Sequence, residues 1–213
     1  MIVAYDKVYL EKARVCLGRM LDFAVYDLKY GLEEFFEIFI SSGISELFGE
    51  GDFSVIAGKS GVELAFEVLE RSGKDYQRIK PFYTSSRSEE YWLGWALAYY
   101  QWYSCRSFEE IVRLVPITEI LAMYSPYHEM DIRQFADKMS ELCRVAEPQT
   151  NLKLMRQRAG LSQSELSEIS GVPLRTIQQY EQRQKNINKA QAEYLVMLAR
   201  ALCCEVEKLM EKN

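Results

Sequence analysis

Hydrophobic residues recur three and four positions apart through most of the chain, a spacing that places their side chains on one face of an α-helix. In the first half, the pattern predicts one helix with Leu10, Ala13, Leu17, Met20, Leu21, Ala24 and Leu28 on its inner face, and another with Phe35, Phe36, Phe39 and Ile40. No stretch of useful length alternates apolar and polar residues as a half-buried strand does. The sequence therefore predicts an all-α fold.

Further helices are predicted to begin at or near Ser60, Ser88, Ser107 and Pro116, and a last one in this half carries Ile132, Phe135, Ala136, Met139 and Leu142. Serine favours a helix N-terminus because its side-chain oxygen accepts a bond from an unpaired backbone N–H. The helix after Ser88 is apolar nearly all round and bears Trp92, Trp95, Tyr99, Trp102 and Tyr103 on one stripe. We expect these rings to fill the core; a dimer interface is the next interpretation, and a ligand pocket is the third.

Residues 162–181, SQSELSEISGVPLRTIQQYE, predict two short helices joined by a tight turn. Ser162 and Glu165 have the spacing of a capping box, in which each side chain bonds the other residue's backbone N–H. Gly171 suits the left-handed conformation that ends a helix. Pro173 suits the start of the next one, where no amide donor is needed. The layout is that of a helix-turn-helix.

The faces of these two helices also differ in polarity. Leu166 and Ile169 are predicted to form the apolar face of the first helix, and Ile177 and Tyr180 that of the second. On the second helix, Arg175, Gln178 and Gln179 are predicted to point outward. A helix with an apolar underside and an Arg- and Gln-rich outer face fits a DNA major groove.

The segment from about Asn151 to Met210 resembles the DNA-binding domain of the phage repressor and Cro family, also called the xenobiotic-response-element family. The resemblance rests on L-S-Q-x-E-L, then S-G-V-P, then T-I-Q-Q-Y-E. It implies a five-helix bundle. Helix one would run from Leu152 to Arg158 and end at Gly160, and helices two and three are those just described. Helix four would start after Asn188, with Leu195, Leu198, Ala199 and Leu202 inward, and helix five would carry Val206, Leu209 and Met210.

The same resemblance implies roles for individual residues on double-stranded DNA. Leu174, Arg175 and Gln179 would occupy base-reading positions, with Gln178 beside them. Leucine departs from the polar residue common at its position, so it would make only apolar contact, for instance with a thymine methyl group. Gln163 would reach a phosphate and also a base edge. Phosphate contacts that set the register are expected from Thr176, Arg183, Lys185 and Asn186.

Charge and aromatic content divide the chain near Val145 to Thr150. Residues 1–147 hold 16 basic and 24 acidic side chains, a net charge of −8, whereas residues 148–213 hold 10 and 7, a net charge of +3. Of 27 aromatic residues, only Tyr180 and Tyr194 lie beyond residue 148. Pro148 is expected to help end the preceding helix. We therefore predict a helical domain at 1–145 and a helix-turn-helix domain at 151–213. Because a charge of +3 attracts DNA only modestly, a homodimer on a two-fold site is expected.

The N-terminal domain is expected to serve dimerisation, partner binding or sensing. From about Leu10 to Gly73 it is faintly similar to small helical proteins of unknown function near bacterial toxin–antitoxin loci, through an early helix with a cysteine, F-x-x-S-G-I and a Gly-Lys-Ser turn. Two functions stay open. The first is a transcription regulator that acts by operator occupancy. The second is an antitoxin that binds a toxin through residues 1–145 and represses its own operon through the C-terminal domain.

Features that could suggest an enzyme each have a stronger structural interpretation. Gly58-Lys59-Ser60 lacks the upstream glycine of a phosphate loop, so Ser60 is expected to cap a helix. His128 is the only histidine, which weighs against a catalytic triad or a histidine metal site. The adjacent Cys203 and Cys204 do not have C-x-x-C spacing and are expected to pack against helices four and five. The glutamate pairs at 33/34, 89/90 and 109/110 fall in predicted first turns, where carboxylates favour the helix dipole. We expect no enzyme activity, cofactor or metal.

The expected compartment is the cytoplasm. The first residues, MIVAYDKVYLEKARV, do not resemble a secretion signal. The longest uncharged run, Tyr91 to Cys105, is shorter than the ~20 apolar residues that a membrane helix needs. Five irregularly spaced cysteines suit a reducing environment.

Overall fold

The protein is all-α in the computed structural model, which describes residues 3–82, 86–147 and 149–211. These ranges contain fourteen α-helices, three single 3-10 turns and no strand. The chain forms two compact units, residues 1–147 and residues 148–213. Pro148 lies outside the described residues, and so does the helix break predicted there.

The described residues of the N-terminal unit form ten α-helices. They are α1 Leu10–Tyr26, α2 Leu32–Ser41, α3 Ile44–Glu50, α4 Phe53–Ile56, α5 Gly61–Arg71, α6 Glu89–Ser104, α7 Phe108–Leu114, α8 Ile117–Ala122, α9 Tyr124–Tyr127 and α10 Ile132–Ala146. Helix α1 is central and packs chiefly against α5 and α6. The predicted starts at Ser60, Ser88 and Ser107 are confirmed, because each side-chain oxygen accepts a backbone N–H of the first turn.

The crossing of α1 and α6 depends on two glycines. A Cβ atom on Gly94 would lie 2.6 Å from the Leu17 carbonyl oxygen, and one on Gly18 would lie 2.7 Å from the Tyr91 carbonyl oxygen. Both distances are shorter than a carbon–oxygen contact allows. The two helix backbones therefore approach each other more closely than any residue with a side chain would permit.

Aromatic side chains fill much of the core of this unit. Phe108 makes edge-to-face contacts with Phe39 and Phe48, at ring-centroid distances of 5.5 and 5.6 Å. Such contacts stabilise beyond the burial of apolar area alone. On α6, Trp92 and Trp102 are 8% exposed, and the remaining rings of the stripe are half-buried against the same core. Most of the surface of these aromatic side chains is therefore packed in the core, which is the first interpretation of the stripe.

The C-terminal unit contains α11 Asn151–Arg158, α12 Gln163–Ser170, α13 Leu174–Glu181 and α14 Ala192–Ala201, with 3-10 turns at Ile187–Lys189 and Val206–Lys208. Its core is formed by Leu152, Leu166, Val172, Ile177, Tyr180, Ile187, Leu195, Leu198, Ala199, Leu202 and Leu209. The fifth predicted helix is only a single 3-10 turn, and α14 starts three residues after the end of another such turn. Leu209 is nevertheless fully buried, so one turn is enough to close the core.

Two predictions of burial in this unit are wrong. Ile169 is 59% exposed, because the inner face of α12 follows the four-residue spacing from Leu166 to Ser170. Ser170 takes the inner position, where its Oγ accepts the Val172 N–H at 3.2 Å. Of the two adjacent cysteines, Cys204 packs partly against the core as predicted, whereas Cys203 is exposed.

Candidate nucleic-acid interface

The turn between α12 and α13 is fixed by local bonds. Gly171 has a φ of 74°, the left-handed conformation expected of it, and its N–H donates to the Ser167 carbonyl. The Ser167 hydroxyl donates to the Val172 carbonyl at 2.7 Å. Val172 is fully buried, so its side chain also anchors the turn in the core. The start of α13 is thereby fixed relative to α12.

The capping box predicted for α12 is confirmed. The Glu165 backbone N–H donates to the Ser162 hydroxyl at 3.2 Å, and the Ser162 N–H donates to the Glu165 carboxylate at 2.7 Å. The pKa of Glu165 is lowered, chiefly because its carboxylate accepts the Ser162 backbone N–H and next because it bonds the Ser162 hydroxyl. The charged carboxylate therefore stabilises the start of the helix.

Helix α13 has the two faces that the sequence predicts. Ile177 is fully buried and Tyr180 is 6% exposed, so the inner face is anchored in the core. Arg175 is exposed, while the other predicted contact residues on this helix, Leu174, Thr176, Gln178 and Gln179, are half-buried. The first turn of α13 therefore presents a cationic side chain with an apolar neighbour.

A buried ion pair holds the far end of α13. Arg156 of α11 donates to both carboxylate oxygens of Glu181, at 2.7 and 2.9 Å, and its third nitrogen donates to the Leu161 carbonyl at 2.7 Å. The two side chains are 11% and 2% exposed. Bonding to the Glu181 carboxylate raises the pKa of Arg156, although burial opposes this. A bidentate pair of this kind is geometrically specific.

Gln163, at the start of α12, belongs to the same cluster. Its Nε2 donates to Glu181 Oε2 at 2.8 Å. Three helices, α11, α12 and α13, thus meet at one carboxylate. A side-chain amide has a second N–H and a carbonyl oxygen in addition to the group used here. The bond to Glu181 therefore orients Gln163 and leaves it capable of another contact.

Arg156 and Glu181 were not predicted from the sequence. A signal was present: Glu181 lies four residues after Ile177, and Arg156 lies four residues after Leu152. Each charge therefore occupies an inward register position on its helix. Charged side chains at such positions are rarely buried unless they are paired. An ion pair between these two inward-facing charges could therefore have been predicted.

The predicted phosphate-binding residues after α13 have local structural roles as well. Arg183 is in the left-handed region, with a φ of 54°, and pairs with Glu211 at 3.4 Å. Asn186 accepts the Asn188 N–H at 2.8 Å through its side chain. Lys185 is exposed, and its backbone N–H donates to the Gln179 carbonyl at 3.1 Å. This loop follows the opposite end of α13 from Arg175.

Within residues 3–82, 86–147 and 149–211, no group of three or more His, Cys, Asp or Glu side chains has an arrangement that could hold a metal ion. Over the same ranges, no helix is both long and apolar enough to cross a membrane.

Comparison with known proteins identifies the C-terminal segment. A helix-turn-helix family model matches residues 152–209, which include α11 to α14 almost completely. No curated protein and no solved structure matches the chain. Residues 152–209 thus match the phage repressor and Cro type of helix-turn-helix, a family of DNA-binding transcription regulators.

Proposed function

We propose that this protein is a sequence-specific transcription regulator that binds double-stranded DNA as a homodimer and acts by occupying an operator. The observation that carries the proposal is the arrangement of α13. Its outer face presents Arg175, its inner face is anchored by Ile177, and its end is held by the ion pair of Arg156 and Glu181. A rigid helix with a cationic outer surface suits the major groove.

Base reading is assigned to three side chains of α13. Arg175 suits the O6 and N7 acceptors of guanine, and Gln179 suits the N6 and N7 atoms of adenine. Leu174 contributes an apolar surface that suits a thymine methyl group. Gln178 lies beside Gln179 and adds a polar group at the edge of this surface.

Contacts to the DNA backbone are assigned to Gln163, Thr176, Arg183, Lys185 and Asn186. Gln163 is the first residue of α12, Thr176 lies in the first turn of α13, and the other three lie in the loop after α13. Backbone contacts of this kind set the register of the helix on the duplex but do not distinguish sequences. Arg183 must exchange its exposed pairing with Glu211 for a phosphate, and such exposed pairs contribute only about 0–1 kcal/mol.

Charge supports a dimer. A single C-terminal unit has a net charge of +3, whereas the N-terminal unit has a net charge of −8 and is repelled by phosphate. Two copies on a two-fold operator double the attractive contacts. A protein with this role needs no catalytic group or cofactor, and it acts where the chromosome is, in the cytoplasm or nucleoid.

An antitoxin is the second candidate function. In it, the N-terminal unit binds a toxin through residues 1–145, and the C-terminal unit represses the operon. The exposed apolar side chains of the N-terminal unit favour this candidate, since a partner that covers them removes apolar area from water. Val8, Phe53 and Phe82 are 70%, 59% and 74% exposed.

The experiment that tests the main proposal is selection of bound duplexes from a random pool by the full chain. Enrichment of one two-fold symmetric sequence, bound by two copies, is the expected result. Recovery of unenriched duplexes at every salt concentration contradicts sequence-specific binding. Enrichment of a single half-site bound by one copy contradicts the dimer. Co-purification of a stoichiometric partner held by residues 1–145 supports the antitoxin function instead.

A further inference from the structure

The N-terminal unit contains a cavity of about 580 Å³ that no step of the proposed function uses. It lies between α1, the end of α4, the start of α5 and the residues that lead into α6. Pockets that bind small molecules have volumes of roughly 300–1,000 Å³. The cavity is therefore of the size that holds a small ligand.

Apolar atoms make up most of the wall of this cavity. Val15 of α1, Ile56 and Ala57 at the end of α4, and Val62 of α5 contribute to it. Val15 is 42% exposed, although most of the apolar side chains of α1 are buried. Its exposed surface therefore belongs to the cavity. A ligand with an apolar body would cover this surface and remove it from water.

The charge around the cavity is opposite in sign to that of the unit. Among the described residues, four cationic side chains line it, and only two carboxylates, those of Glu11 and Asp22, do so. The cations are Lys12, Arg19, Lys59 and Arg87. The whole unit has a net charge of −8, so cations are concentrated at this place. An anionic ligand is attracted to a local excess of this kind.

Two of the four cations already have acidic partners. Lys59 pairs with Glu67 at 2.9 Å, and Arg19 pairs with Asp22 and Asp27. Lys12 and Arg87 are exposed, and neither forms an ion pair with any residue in the described part of the chain. The Arg87 guanidinium instead lies 4.6 Å from the centroid of the Tyr91 ring, which also lines the cavity. These two cations can pair with a ligand without displacing a carboxylate.

We propose that this cavity is a binding site for a small amphipathic anion, a molecule with an apolar body and one carboxylate or similar acidic group. The apolar body packs against Val15 and Val62, and the acidic group pairs with Lys12 and Arg87. An inorganic anion or a nucleic-acid phosphate would leave the apolar wall exposed to water, so neither matches the site as well. The site lies wholly in the N-terminal unit, and its existence does not depend on DNA binding.

Calorimetry on the full chain tests the site with decanoate as the probe. Decyltrimethylammonium has the same tail with the opposite charge, and acetate has the charge without the tail. Decanoate is expected to bind, and neither control is expected to bind at the same concentration. No binding of decanoate, or equal binding of either control, overturns the proposal. The result is independent of any operator, because no DNA is present.

Variants of the full chain locate the binding. The double change K12E and R87E is expected to weaken decanoate binding by about tenfold or more, because two attractions become repulsions. Arg133→Glu is the matched control, since Arg133 is exposed on α10 and does not line the cavity. Val15→Trp is expected to abolish binding by filling the cavity, and an unchanged far-ultraviolet circular dichroism spectrum and thermal unfolding midpoint show that the fold is kept. If neither the double variant nor Val15→Trp weakens decanoate binding, decanoate binds at another surface and the proposal is contradicted.

Discussion

Arg156 and Glu181 are 25 residues apart in the sequence and form a two-bond ion pair at 2.7 and 2.9 Å that joins α11, the first helix of the C-terminal unit, to the end of α13, the second helix of the helix-turn-helix. Both side chains are almost fully buried. The pair acts as a brace, since it holds α13 at one end while the turn at Gly171 holds the other. The side chains proposed to read DNA thus project from a helix whose two ends are both fixed.

Removal of one partner of this pair is expected to destabilise the C-terminal unit strongly. Glu181→Ala leaves the buried Arg156 charge without its partner, and such a loss costs about 3–5 kcal/mol. Hydrogen exchange of amides in α11 to α13, measured by mass spectrometry on the full chain, reports this loss locally. The control is Arg183→Ala, which removes the more exposed pairing with Glu211 and is expected to cost about 1 kcal/mol or less. Equal losses in the two variants would show that the brace has no special role.

Specific and general DNA contacts are expected to respond differently to mutation. Arg175→Ala and Gln179→Ala should each weaken binding to the selected operator by about 1–3 kcal/mol and relax base preference at one position. Lys185→Ala should weaken binding to all sequences similarly and reduce the slope of log K against log salt by about one. Fluorescence anisotropy at several salt concentrations measures both quantities. Arg200→Ala, in the last turn of α14, is the control, and unchanged affinity in Arg175→Ala would contradict the placement of α13 in the groove.

The close crossing of α1 and α6 is expected to be intolerant of a single methyl group. In Gly94→Ala the new Cβ would lie 2.6 Å from the Leu17 carbonyl oxygen, which is backbone and cannot rotate away. Overpacking of this kind costs about 1–3 kcal/mol. All three tryptophans, Trp92, Trp95 and Trp102, lie on α6, so intrinsic fluorescence during urea unfolding measures the change.

Gly31→Ala is the matched control for this experiment. Gly31 precedes α2 with an ordinary φ of −65°, and its new Cβ would meet only the Glu34 side chain at 4.0 Å. The free energy of unfolding should therefore stay within about 1 kcal/mol of the wild-type value. If Gly94→Ala were as stable as Gly31→Ala, the two helices would have to be further apart than the structure places them.

The start of α12 is expected to weaken in acid. The bonds from Ser162 lower the folded-state pKa of Glu165 below its ordinary value of 4.5. Their contribution to stability is therefore complete above the unfolded-state pKa, and it is lost as the pH falls through the folded-state pKa. The protection factors of amides in the first turn of α12, which correct for the intrinsic pH dependence of exchange, should fall over this acidic range. Glu165→Gln keeps a capping box without a titrating group, so its protection factors should not fall there, and a wild-type profile in this variant would contradict the assignment.

Much of the helix-turn-helix could be predicted from the sequence because its signals are local. Ser162 and Glu165 are three residues apart, and the bonds between them form within a single turn. Gly171 has its left-handed φ because it follows the last turn of α12. The inward positions of Ile177 and Tyr180 follow from the helical repeat. Such features depend on neighbours along the chain, so they can be recognised without knowledge of the fold.

Only the tertiary structure decided the rest. The pairing of Arg156 with Glu181, the outward position of Ile169 and the cavity beside Val15 each depend on which helices come together and at what angle. The helical repeat gives the direction of a side chain, but it does not say whether another helix lies there. The packing of the whole core decides which distant segments come together. The sequence by itself therefore determined the helices and the polarity of their faces. The ion pair of Arg156 with Glu181 and the cavity were determined only by the tertiary structure.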